Sequence, residues 1–336
     1  MTRLRPRNHS FLAALLVVLL AAIPLVLSAC GGSGAGGTTA ANSGTTVPPD
    51  APAIAVTTPL LGAIVRDAVG DAARVEVVMP NGSDPHEWRP SAKDVAALQS
   101  ADMIVQNGLG LEQGLEEAVQ QARADGVPVF TATDHIAVRA VAGKDAHAGE
   151  DDHGHEGEES HDHGAGDPHF WTDPAQVRRV LAALPAAVRK ATGADISAQA
   201  SRAATAVKDI DARIAADFAK IPESARNLVT GHESLGYLAD RYDLGVVGAV
   251  TPSLSSQGQV SAAHLKELED AMEKAGVRVV FTETGLPNAV ADAIVDQTGA
   301  TLVELGTEAV PADGTYATYI QELARRISSA LANTGG

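Results

Sequence analysis

Past residue 50, the apolar positions of this chain switch repeatedly between two periods. The short runs AIAVT (53–57), RVEVVM (74–79), DMIVQ (102–106) and VPVFTA (127–132) have the length and β-branched content of buried strands. Among them, LLGAIVRDAVG (60–70) and LEQGLEEAVQQARADG (111–126) repeat at helical spacing. The alternation returns later. NLVTG (227–231), VVGAV (246–250), VRVVFTE (277–283) and TLVEL (301–305) read as strands. Helical patterns in SLGYLADRY (234–242), AAHLKELEDAMEKAG (262–276) and NAVADAIVDQTG (288–299) separate them, and a last helix ends near Leu331. Strands alternating with helices predict an α/β fold of mostly parallel sheets covered on both faces, and two such blocks predict two lobes.

Between the blocks, Ile196, Ala200, Ala203, Val207, Ile210, Ile214, Phe218 and Ile221 recur every three or four residues. They form one stripe of a helix of about 25 residues, roughly 37 Å long, which Pro222 closes. Such a helix either spans both lobes as a stiff backbone or lies on the surface of one.

The N-terminus follows different rules. Arg3, Arg5 and Arg7 precede the apolar run FLAALLVVLLAAIPLVL, and LSAC ends at Cys30, the only cysteine. Basic, apolar and small residues in that order form an export signal, with an uncleaved membrane helix as the alternative. Pro24 inside the run and the Gly/Ser/Thr-rich sequence after it favour cleavage. LSAC resembles a bacterial lipobox, which implies cleavage before Cys30 and lipidation of its thiol. The expected layout is a signal peptide at 1–29, a flexible tether at 30–50 and an N-terminal lobe at 51–194. A linking helix at 195–221 and a C-terminal lobe at 222–336 complete it.

Composition narrows the partners. The formal charge is −17, and the region beyond the signal shows no basic patch, so a nucleic-acid partner is not expected. Gly108, Gly110 and Gly114 miss the spacing of a dinucleotide fingerprint. Ser234 lacks the flanking glycines of a nucleophile elbow, since Gly231 and Gly236 stand too far apart.

Histidine is where the chemistry concentrates. The segment 144–167 packs His147, His153, His155, His161 and His163 among nine acids and several glycines. It cannot build a core, and imidazoles two residues apart beside carboxylates chelate divalent metals loosely. In addition, DPHEW (84–88) recurs as DPHFW (167–171), and these pentapeptides hold both tryptophans of the chain. A duplicated turn would explain this, as would two rigidly held histidines meeting at one site. His86 and His232 each follow a strand, at the carboxyl edge where open α/β sheets bind ligands, and His169 precedes a helix starting near Asp173. In both pentapeptides Pro fixes the backbone before the His, and Trp is expected to pack against it. Three imidazoles from separated loops suit a transition-metal site.

Those residues carry a family resemblance. PNGSDPHEWRPSAKDVAALQSADMIVQNGLGLE (80–112), DPHFWTDP (167–174), TGHESLGYLADRYDL (230–244) and VVFTETGLPN (279–288) stand in the order of one family. The chain resembles the metal-specific substrate-binding proteins of bacterial ABC importers, in the zinc/manganese cluster, over roughly residues 52–331. The resemblance implies two α/β lobes joined by a rigid helix, with one metal ion in the cleft between them. It aligns His86, His169 and His232 with the first three ligand positions, and Glu283 with a recurrent acid expected to orient an imidazole. A third histidine and a His/Asp-rich loop are features of the zinc members; manganese members tend to place a carboxylate at the third position. For the fourth ligand, VELGTEAVPADGTY (303–316) fits two registers: one places Glu308 there, the other Gly306, leaving three histidines and water. DGTYATYI after it fits the Glu308 register. Where many members have Trp, this chain has Gly114, and only a local packing change is expected.

The implied function is extracytoplasmic capture of Zn²⁺, with Mn²⁺ as the alternative, and delivery to an ABC permease and its ATPase. The protein is expected to be a monomer held at the membrane by its lipid, and not an enzyme. A zinc-dependent hydrolase and a surface adhesin are the competing classes.

Overall fold

The computed structural model describes residues 47–140, 166–284 and 289–334. Its first sheet is built from β1 (Ala53–Val56), β2 (Arg74–Val77), β3 (Met103–Gln106) and β4 (Val129–Thr131), in the order β2-β1-β3-β4. All three pairings are parallel, with Ala53 opposite Arg74, Ile54 opposite Met103 and Ile104 opposite Val129. Around it lie α1 (Pro59–Val69), α2 (Ala92–Ser100), α3 (Glu116–Ala124) and α4 (Pro174–Thr192). The second sheet repeats the plan. β5 (Asn227–Thr230), β6 (Gly245–Ala249), β7 (Val279–Glu283) and β8 (Thr301–Leu305) run parallel in the order β6-β5-β7-β8. Its helices are α6 (Gly236–Tyr242), α7 (Ala262–Ala275), α8 (Ala289–Thr298) and α9 (Tyr316–Thr334). Parallel strands need crossovers, and covering both faces with helices explains why the strand sequences are almost continuously apolar.

Between the sheets runs α5 (Ser197–Phe218), about 33 Å long at 1.5 Å per residue. It packs on α1 and α4 of the first lobe and on α9 of the second. Val207, Ile210, Ile214 and Phe218 are buried, and burying each such side chain contributes about 1.5–3 kcal/mol. Consequently one hydrophobic cluster runs unbroken from Ile54 and Leu61 through α5 to Leu228, Phe281 and Ile327. The lobes share a core. Asp211, buried on α5, adds a polar tie: it accepts from Arg241 and from the Tyr242 hydroxyl of α6. Arg241 also lies 3.6 Å from Asp173, which caps the N-terminus of α4 by accepting from Ala175 N–H.

Several boundaries differ from the periodicity. Ile196 and Ile221 are buried but stand outside α5, Ile221 because the residue before a proline is pushed out of helical geometry. The helix expected from residue 111 begins at Glu116, since Leu109 (φ 53°) and Gly110 (φ 71°) turn the chain first. Glu112 is then spent accepting from the Thr57 hydroxyl and the Asn107 backbone N–H instead of joining a helical turn. The helix α2 carries too little apolar periodicity to stand out, yet its capping box is legible: Ser91 and Asp94 each accept from the other's backbone N–H.

Candidate metal centre

Both Asp-Pro-His segments fold into the same local turn. Asp84 Oδ1 accepts the His86 N–H at 2.9 Å, and Asp167 Oδ1 accepts the His169 N–H at 2.9 Å. A carboxylate bonding the backbone two residues on is a stable turn, and the intervening Pro has no N–H to compete for it. The repeat therefore encodes a device that sets an imidazole at a fixed angle. The second copy goes further: Asp167 Oδ1 also lies 2.9 Å from His169 Nδ1. A proton held on Nδ1 by that carboxylate leaves the Nε2 lone pair facing inward. The tryptophans are not used alike. Trp171 is buried, edge-on to His169 with ring centroids 5.3 Å apart. Trp88 is half-buried and packs instead against the separate cluster that contains Leu98 and Leu115.

His232 follows β5, where the order of the second sheet reverses. Its Nδ1 lies 3.0 Å from Glu283 Oε1 at the end of β7. Gly231 makes this approach possible: a Cβ there would sit 2.0 Å from Glu283 Oε2. Glu308 lies beyond β8. Its loop is tethered by Trp171 Nε1 and the Tyr319 hydroxyl, which both donate to Thr307 O at 2.9 Å.

These four side chains converge. His86 Nε2 and His169 Nε2 are 3.4 Å apart, and His169 Nε2 and His232 Nε2 are 3.3 Å apart. Glu308 Oε1 is 3.8 Å from His86 Nε2 and 3.9 Å from His232 Nε2, and one ligand atom from each of the four lies within 4.8 Å of all the others. Metal–nitrogen bonds of about 2.0–2.1 Å require a tetrahedral edge of about 3.3–3.4 Å. Both nitrogen spacings from His169 already meet that edge; the carboxylate needs to close by about half an ångström.

Electrostatics agree with the geometry. Burial, reinforced by His169 and His232, pulls His86 down to about 2, and burial also lowers His169 against the pull of Asp167. Both imidazoles are neutral donors. Burial opposes a charge on His232 as well, but Glu283, Glu308 and Asp84 outweigh it and raise the group. Glu308 is pushed up to about 8 by burial, with Asp84 and Glu283 adding and His232 opposing. Next to the cluster, a cavity of about 230 Å³ is lined by Asp84, Glu87, Glu283 and Glu308, so the mouth draws cations.

The family described as ZnuA, zinc-uptake complex component A, periplasmic, matches residues 54–330. The chain belongs to this family. It is 27% identical over 314 residues to the high-affinity zinc uptake system protein ZnuA of Paracoccus denitrificans, covering 85% of this chain and 93% of the relative. It is also 23% identical over 313 residues to the manganese-binding lipoprotein MntA of Halalkalibacterium halodurans, covering 91% and 94%. Its fold matches the periplasmic zinc-binding protein TroA of Treponema pallidum at a TM-score of 0.69 and 22% identity, over 84% of this chain and 99% of that one.

Among the expected site residues, His86, His169, His232 and Glu308 come together, with Glu283 against His232. Gly306, the alternative in the other register, lines the adjacent cavity. Cys30, the signal peptide, most of the tether, and His147, His153, His155, His161 and His163 lie outside the described residues. Gly114 proves more constrained than a packing variation, because a Cβ there would come within 2.2 Å of the Trp88 carbonyl. Sequence reasoning gave Asp167 no role; its place in the repeated pentapeptide was the available signal.

Proposed function

We propose that this chain captures Zn²⁺ outside the cytoplasm and hands it to an ABC permease and its ATPase, with His86, His169, His232 and Glu308 as the ligands. The observation carrying this reading is the meeting of three buried imidazoles, with His169 Nε2 3.4 Å from that of His86 and 3.3 Å from that of His232, and a Glu308 oxygen 3.8–3.9 Å from both His86 and His232. Three nitrogens and one oxygen favour zinc; Mn²⁺ prefers oxygen-rich, higher-coordinate shells. A closed shell of four protein donors also argues against hydrolysis, which needs an open position for water. Asp167 and Glu283 act as positioning residues for His169 and His232. In this reading the membrane anchor is a lipid on Cys30, residues 31–50 are the tether, the working unit is a monomer, and the 144–167 segment gathers extra metal loosely.

Metal content and stoichiometry of the natively purified protein test the proposal, followed by competition titration. One zinc per chain, held far more tightly than Mn²⁺, is expected. Equal affinity for both ions overturns the zinc assignment.

A further inference from the structure

The Glu308 carboxylate lacks a local anchor. Its Oε1 is buried and accepts no hydrogen bond among the described residues, so the position of the group is inherited from the backbone that carries it. That backbone is held from the first lobe at two points. On one side of Glu308, Trp171 Nε1 donates to Thr307 O at 2.9 Å. On the other, the Asn81 amide pairs with Val310 in both senses: Nδ2 donates to Val310 O at 2.8 Å, and Val310 N donates to Oδ1 at 2.8 Å. Asn81 thus acts like one residue of an adjoining strand, and it sits five positions before His86 on the same loop. Tyr319 also bonds Thr307 O, but from the second lobe, so it cannot register one lobe against the other.

We propose that Asn81 and Trp171 are positioning residues for Glu308, forming a two-point clamp from the first lobe that sets both the carboxylate's distance to the histidines and the rate at which metal escapes. This rests on Glu308 being a ligand. The shared core through α5 makes rigid opening of the lobes costly, so release proceeds by withdrawal of the 306–311 segment. That withdrawal must break the Asn81 pair and the Trp171 bond, and afterwards only the three imidazoles hold the ion.

The test is a double-mutant cycle on zinc dissociation, followed after mixing the loaded protein with excess chelator. Asn81 is exposed, so Asn81→Ala leaves the core intact. Two hydrogen bonds lost at about 1 kcal/mol or less each predict dissociation about tenfold faster. In a Glu308→Ala background, Asn81→Ala should add nothing, because the clamp then holds an arm without a ligand. Trp171→Phe keeps an aromatic ring in the position but removes the donor and part of the indole's bulk, and should show the same dependence on Glu308. An equal acceleration in both backgrounds overturns the clamp, as does an unchanged rate in Asn81→Ala and Trp171→Phe while Glu308→Ala weakens binding. If Glu308→Ala itself binds and releases zinc like the wild type, the ligand assignment fails and the clamp falls with it.

Discussion

Zinc affinity should depend on pH mainly through Glu308. In the metal-free protein its pKa is pushed up to about 8, so at neutral pH most molecules carry a proton there that zinc must displace. The sign follows directly. Above about pH 8 the carboxylate is already charged and its contribution is flat; below it, this group costs about tenfold per pH unit, or about 1.4 kcal/mol. His86, pulled down to about 2, and His169, also lowered, add no slope near neutrality. His232 is raised against burial, chiefly by Glu283 with Glu308 adding, and is the second group whose proton zinc must displace. Glu308→Gln should therefore bind zinc more weakly and lose about one unit from the slope of log affinity against pH between about pH 6 and about pH 8. Competition against a chelator of known pH dependence measures this slope. Calorimetry in buffers of different ionisation enthalpy counts the released proton at pH 7. A Glu308→Gln protein that keeps the wild-type slope and proton release would refute the assignment of that proton to Glu308.

His86→Ala, His169→Ala and His232→Ala should each lower zinc affinity more than Glu308→Ala, since each removes one of the three nitrogen donors; competition titration ranks the four. Asp167→Asn should weaken binding about 10–100-fold by loosening the His169 ring, with little change in the melting temperature of the metal-free protein. Deleting residues 145–165 should leave one tight equivalent and remove weaker ones in a stoichiometric titration; loss of the tight equivalent would place a ligand in that segment. Cys30→Ser should move the protein from the membrane to the soluble fraction with zinc affinity unchanged, and fractionation with metal binding on the same preparation checks both.

Local physics was readable along the chain. The short β-branched runs and the period-3.6 runs announced two α/β blocks, the stripe from Ile196 to Ile221 announced the long helix, and the repeated Asp-Pro-His announced two identical turns. Each depends on neighbours within a few residues, where steric preference and side-chain-to-backbone bonding act. Helix ends were less legible, because Glu112 and Ile221 answer to distant partners or to a following proline. The site itself is non-local. His86 and His232 are 146 positions apart and share a pocket only because both sheets present their carboxyl ends to one cleft. No periodicity reveals that Trp171 bonds Thr307 while Trp88 packs against a different cluster, or that Asn81 pairs with the backbone of Val310. Those contacts come from how two lobes seat on a common helix, a matter of packing across the whole core, which a one-dimensional pattern does not carry.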